Sequence, residues 1–464
     1  MDDSKNKKSN QDILTIDELI DKASSLLGLQ MNQINENLEF DGKKGDFGFA
    51  IEEGGFNYPR NSRAEADFKD LNVELKVTPF KRNANGTYSS KERLVLNIIN
   101  YMEEYKKSFE DSSLWTKNQT LLILFYEYIE NVSKSDFMIK YGILHQFSEQ
   151  DLIIIKNDWQ IIIDKIKAGK AHEISEADTY YLGACTKGKN SSSTRQQPFS
   201  NIPAKQRAFS LKTTYMTQIV RELTSNTRSE DSLFNYVELV GDSFEESIIK
   251  KVAPYIGMTE SQLLGLFELD TVAKSRFEMI FTRMLGLKGK LSKVSEFIKA
   301  NIQVKTIRVE ETGKVKESMS FPAFKFTDIV NQEWEDSDIY KLFETKKFMF
   351  VVFKKVNGEY IFDNVVFWNM PHDDLNKQLK KVWTKTKEVV LSGHIVSHIH
   401  KNGRRFTNFP GQSLNPVGHV RPHATLISDT YPLPVKDCLT GLETYMKQCF
   451  WLNSKYVKES ILGI

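Results

Sequence analysis

The sequence predicts an α/β protein, α+β in detail with mixed sheets, folded as two tandem domains. Three observations predict it. At 464 residues the chain exceeds what one ordinary core organises. Strand-length apolar runs alternate with segments of helical period. The order of those segments in the first half returns, more loosely, in the second. Hydrophobic content of 40% with 27% charged residues is that of a globular protein. The longest apolar runs, LLILF (121–125) and FMFVVF (348–353), are too short to span a membrane. Net charge is only +2, so an anionic partner must be met by local patches. Cys185, Cys438 and Cys449 are odd in number and lack C-x-x-C spacing, which fits a reducing cytoplasm.

Residues 1–12 (MDDSKNKKSNQD) are polar, do not read as a signal peptide and are expected to be disordered. Helical periodicity follows over 11–36, with Thr15 and Glu18 spaced as a capping box. From about 70 to 130 the pattern turns to strands: NVELKVTPF, RLVLNIINY and TLLILFYEYI, punctuated by NANG. A helix over 148–168 closes at Gly169. Residues 186–220 contain no Asp or Glu but hold Lys187, Lys189, Arg195, Lys205, Arg207 and Lys212. The composition shifts at TSNTRSEDS (224–232), which sets expected domains of 1–224 and 225–464.

Beyond that linker, NIQVKTIRV (301–309) overlays NVELKVTPF (72–80) with a lysine at the same step. GKVKESMSFPAFKF matches GTYSSKERLVLNII, and LFETKKFMFVVFKK (342–355) matches LWTKNQTLLILFYE (114–127). A helical segment ending at Gly393 stands where the helix before Gly169 stood. A second acid-free stretch, residues 389–428, then carries Lys401, Arg404, Arg405 and Arg421. Four segments in one order point to a duplication.

In NVELKVT, alternation puts Glu74 and Lys76 on one face of a strand and Val73, Leu75 and Val77 on the other. Asp67 lies in the preceding loop or turn, from which it can fold back beside that face. Two converging carboxylates suit Mg²⁺, which takes one or two protein carboxylates plus other oxygens. A lysine two residues past the ligand can orient water and offset charge on phosphorus. The plainer reading is a solvated face, since Glu104/Lys106 and Glu344/Lys346 share the same spacing.

DLNVELKVTPF followed by YSSKERLVLNIINY resembles the MutH-like endonucleases, most closely the GATC-cutting type II restriction enzymes within that family. The resemblance implies a restriction-endonuclease-like fold in each half and Mg²⁺-dependent cleavage of double-stranded DNA at GATC. It implies Asp67 and Glu74 as metal ligands and Lys76 as the catalytic lysine. Glu52 (with Glu53 as the less favoured register) matches an earlier family glutamate, and Lys117 a further lysine. Asn72 stands where the family has glycine, and asparagine tolerates left-handed backbone. YLGACTKGKN and AKQRAFSLKTTYM resemble the family's DNA-reading region. Lys187 and Lys189 are candidates for base or phosphate contact, and Arg207 and Lys212 complete the expected DNA-binding set of the first half.

In the second half Gln303 replaces Glu74 while Lys305 keeps the place of Lys76, so this copy is expected to be pseudo-catalytic. HVRPHA (419–424) resembles the family's DNA-reading segment, which makes His419, Arg421 and His423 DNA-contact candidates. Five of eight histidines lie in 394–423, yet no cysteine joins them, so DNA contact is preferred to zinc. The implied partners are DNA carrying two GATC copies, a cognate methyltransferase and a second chain on DNA. A mismatch-repair-type nicking enzyme and a non-catalytic GATC-binding protein are the alternatives.

Overall fold

The computed structural model describes residues 15–36, 45–58, 65–188, 193–225, 233, 242–273, 275–315, 319–422, 426 and 428–464. Residues 1–12 and most of the expected linker lie outside them. Two compact units are formed: Met1–Ile174, Asp178–Ser243 and Ser292–Ala300 in the first, Ser175–Ala177, Phe244–Leu291 and Asn301–Ile464 in the second. Past Ser243 the chain returns to the first unit over Ser292–Ala300. That return is anchored by the helix Ser295–Ala300. The Lys299 ammonium bonds both Asp151 carboxylate oxygens at 2.9 Å, and the Thr214 hydroxyl donates to the Lys299 carbonyl.

The first unit opens with helix Ile16–Ser25, where Thr15 and Glu18 form the expected capping box. A short second helix, Met31–Ile34, completes a segment expected as one helix. The strands follow: β1 Val73–Arg82, β2 Tyr88–Ser90, β3 Leu94–Ile98, β4 Thr120–Glu127 and β5 Ile139–Gln146. Then come β6 Leu182–Thr186, β7 Thr194–Gln197, β8 Ser200–Lys205 and β9 Arg207–Leu211. A mixed sheet runs β2-β1-β4-β5, an antiparallel one β3-β9-β6, and β7-β8 is a hairpin. β1 and β4 are parallel, with Glu74 opposite Leu121 and Lys76 opposite Ile123. A parallel central pair is covered on both faces, which is why β4 reads as an unbroken apolar run. Val73 and Leu75 pack into a core with Ala50, Ile51, Leu122 and Leu124.

The second unit repeats this plan. Its strands are β10 Ile302–Val309, β11 Met319–Phe324, β12 Lys347–Val356, β13 Glu359–Trp368, β14 Val396–Ile399 and β15 Arg405–Thr407. β16 Gly418–Pro422, β17 Thr430–Pro432, β18 Thr444–Met446 and β19 Gln448–Leu452 complete it. The orders β10-β12-β13 and β11-β19-β16 reproduce β1-β4-β5 and β3-β9-β6, and the pair β17-β18 stands for β7-β8. The additional pair is β14-β15. β10 and β12 are parallel, as β1 and β4 are.

Detail repeats too. Asn72 and Asn301, each just before the first strand of its sheet, have φ of +52° and +55°. Gly169 and Gly393 follow the long helices Glu149–Lys167 and Lys380–Ser392 with φ of +69° and +68°. A Cβ at Gly169 would meet the Phe199 carbonyl oxygen at 2.6 Å, and one at Gly393 the Lys436 carbonyl oxygen at 2.7 Å. Only glycine fits where a β-turn presses so closely on a helix end.

Candidate active site

The seven-residue interval between Asp67 and Glu74 is a fold-back. Phe68 and Val73 form an antiparallel bridge, each N–H donating to the other's carbonyl at 2.9 and 3.2 Å. Between them lie a 3₁₀ turn, Lys69–Leu71, and left-handed Asn72. Asparagine therefore takes the conformation glycine would take there. The turn delivers Asp67 alongside β1, where its Oδ2 accepts from the Leu75 N–H at 3.1 Å. The Asp67 N–H in turn donates to Glu74 Oε2 at 3.1 Å.

Glu74 Oε1 receives two cations. Lys76 Nζ lies 2.7 Å away and Lys117 Nζ 3.4 Å away. Lys76 also donates to the Leu96 carbonyl of β3 at 3.3 Å. Lys117 rides on the helix Ser113–Asn118, whose N-cap Ser112 accepts from the Trp115 N–H. Asn97 of β3 bonds Ser113 and accepts from Asn118, fixing that helix beside the strand. The alternation in β1 separates the faces as expected, but the polar face is interior: Glu74 is only 3% exposed. A solvated strand face is thereby excluded.

Burial, and next the charge of Glu74, push the Asp67 carboxyl up to about 7 from 3.8. The Leu75 N–H and the Lys76 charge pull the other way. Two carboxyls brought together in a partly dry site, one of them reluctant to ionise, fit a divalent cation that would relieve their repulsion. Among the described residues no three His, Cys, Asp or Glu side chains gather to share an ion. Glu52 is half-buried on the π-helical segment Ala50–Gly55.

The DNA-contact candidates divide. Lys187 follows β6 directly and is half-buried, its N–H bonded to the Gln206 carbonyl at 2.7 Å. Arg421 is exposed at the end of β16, its guanidinium 3.8 Å over the Trp451 ring. Lys189 and His423 lie outside the described residues. Arg207, Lys212 and His419 correct the expectation, for they are 4%, 3% and 7% exposed. Arg207 donates to the Ala184 carbonyl and Lys212 to the Thr179 carbonyl. His419 Nδ1 lies 2.7 Å from Asn453 Oδ1, and burial holds its imidazole below the usual value. These three groups are spent on the interior and are not presented to a phosphate. His398 stacks on Phe406 at 4.3 Å, and among the described residues no histidine enters a metal cluster.

Sequence reasoning passed over Asp158. This wholly buried carboxylate accepts from the N–H groups of Tyr180, Tyr181 and Leu182 at 2.7, 2.6 and 2.9 Å and so sets the start of β6. An acid at mid-helix on an otherwise apolar face was the signal available.

The family model "DNA mismatch repair enzyme MutH" matches residues 56–158, which include Asp67, Glu74, Lys76 and Lys117. The chain is 38% identical to the type II restriction enzyme Sau3AI of Staphylococcus aureus, over 97% of this chain and 98% of that one. It is 28% identical to the DNA mismatch repair protein MutH of Shewanella woodyi, over 39% of this chain and 79% of that protein. Against MutH of Pasteurella multocida the figures are 25%, 46% and 98%.

Proposed function

The chain belongs to the MutH-like family of type II restriction endonucleases, and on that premise we propose that it cuts double-stranded DNA at GATC with Mg²⁺. The observation that carries the proposal is the adjoining Asp67 and Glu74 carboxyls with two lysines converging on Glu74 Oε1. Asp67 and Glu74 would hold the ion. When bound, it would supply the charge that polarises a phosphodiester and eases ionisation of the attacking water. Asp67 must first lose its proton, and the Leu75 N–H is placed to favour the carboxylate. Lys76, anchored by the Leu96 carbonyl, would direct the water and meet the charge gathering on phosphorus. Lys117, which approaches the same Glu74 oxygen, would share that charge.

The second unit would hold a second GATC copy and stimulate the first, a coupling of two binding events. Gln303, a neutral amide, stands at the step of Glu74 and is a poor Mg²⁺ ligand. Lys187 and Arg421 are the candidates for DNA contact among the described residues, with Lys189 and His423 proposed from sequence alone. Two chains meeting on DNA, or one chain acting twice, would cut both strands. A cognate methyltransferase would protect host sites.

The nicking alternative rests on the likeness to the MutH proteins named above, and their match to less than half of this chain counts against it. A supercoiled plasmid incubated with enzyme and Mg²⁺ separates the readings. Restriction yields linear DNA whose sequenced ends fall at GATC. Accumulating open circles favour nicking, and DNA left intact leaves the binding-only reading. A one-site plasmid cut slowly, then rescued by added GATC duplex, supports the second site; equal cutting of one-site and two-site plasmids removes it.

A further inference from the structure

In the first unit both lysines of the site find a carboxylate. The corresponding corner of the second unit has lost it. Gln303 faces Phe348 in register as Glu74 faces Leu121, and Lys305 sits two residues on, as Lys76 does. Lys346 joins the helix Asp338–Thr345 to β12. The Asn301 side-chain amide donates to the Thr345 carbonyl at 3.1 Å, tying that junction to the entry of β10. Lys305 and Lys346 are half-buried, and among the described residues neither ammonium group has a hydrogen bond or an ion pair.

This arrangement is costly. Burial first, then the charge of Lys346, hold the Lys305 ammonium below its ordinary value, and burial does the same to Lys346. Two cations withdrawn from water, with no ion-pair partner among the described residues, are each destabilised until an anion arrives. We propose that this corner of the second unit binds a DNA backbone phosphate directly through the Lys305 and Lys346 ammonium groups, Lys305 standing at the step that Lys76 holds in the first unit. The inference rests on the reading that the second unit holds a GATC duplex. It adds that the grip needs no divalent ion. Ammonium-to-phosphate hydrogen bonds are charge-assisted and replace the water both lysines have partly lost. With Gln303 at the step of Glu74, the corner can hold a phosphate without hydrolysing it.

The test uses the full chain and a fluorescent GATC duplex, in EDTA and in Ca²⁺. Wild type binds one duplex per chain in EDTA and two in Ca²⁺. The pair Lys305→Gln, Lys346→Gln weakens the EDTA binding by about tenfold or more. It also lowers the salt dependence of that binding by about one released counterion. Lys305→Arg with Lys346→Arg keeps the charge and retains the binding, which separates charge from folding. Unchanged affinity and salt slope in the Gln pair overturn the proposal, as does equal loss in the Gln and Arg pairs. One duplex per chain under every condition sinks the two-site reading itself. Inorganic phosphate that binds wild type but not the Gln pair, with duplex binding equal in both, makes a free anion the occupant and overturns the DNA assignment.

Discussion

Asp67 sets a pH dependence that can be worked out in advance. Its carboxyl titrates at about 7 because it is buried and lies against Glu74. The direction follows from the sign of the shift: the raised value means the group is protonated below 7, and a divalent ion must displace that proton. Near pH 8 about nine-tenths of the chains carry the carboxylate, and near pH 6 about one-tenth. Apparent Mg²⁺ affinity of the DNA-free protein should therefore fall about tenfold from pH 8 to pH 6. At pH 7 binding should release about half a proton. Isothermal titration with Mg²⁺ in two buffers of different ionisation enthalpy measures both quantities. Asp67→Asn should bind more weakly and show neither effect. An affinity flat between pH 6 and 8, with no proton released, would refute the assignment of Asp67 as a ligand. The same shift makes the metal-free protein lose stability from this group as pH rises from about 4 through 7. Saturating Mg²⁺ should flatten that decline in a thermal melt.

Other expectations follow from single contacts. Asn72→Gly should be neutral, whereas Asn72→Val should cost about 1–2 kcal/mol by chemical denaturation, because φ is +52° there. That variant should also lose Mg²⁺ affinity, since the fold-back it strains delivers Asp67 to Glu74. Asp158→Ala strands three buried N–H groups and should destabilise the chain by about 3–5 kcal/mol, read from urea unfolding. Ser112→Ala removes the N-cap of the Lys117 helix and should cost about 1 kcal/mol in the same assay. Lys117→Met should keep DNA binding while cleavage falls by at least about 100-fold, measured in single-turnover digests.

The strand patterns were legible because period-two alternation survives in one dimension: Glu74 and Lys76 share a face, and Val73 and Leu75 take the core. The duplication was legible for the same reason, and the paired asparagines and glycines show how far it extends. What alternation does not carry is the far side of the sheet. That β3 and the helix Ser113–Asn118 cover Glu74 is a tertiary fact, so a site with a dry floor read equally well as a wet strand. The stretch without acids misled by the same route. Lys212 has no acid near it in sequence, yet the charge of Asp158, from the helix Glu149–Lys167, acts on it across the fold, and Arg207 is taken up by a backbone carbonyl of the neighbouring strand β6. Counting cations along a chain does not count the partners that folding brings to them. Lys346 read only as half of a common Glu-x-Lys spacing, because its significance lies in Lys305, far away in sequence, and in a carboxylate that is missing.

The account turns on Glu74. Replacing it by glutamine keeps the shape of the side chain and removes the charge. The central claim is tested by incubating wild type and Glu74→Gln with a GATC-containing plasmid and Mg²⁺ at pH 8, with duplex binding measured in parallel. Linear DNA from wild type alone, with both proteins binding the duplex, is the result predicted. Cleavage by Glu74→Gln at the wild-type rate would contradict it.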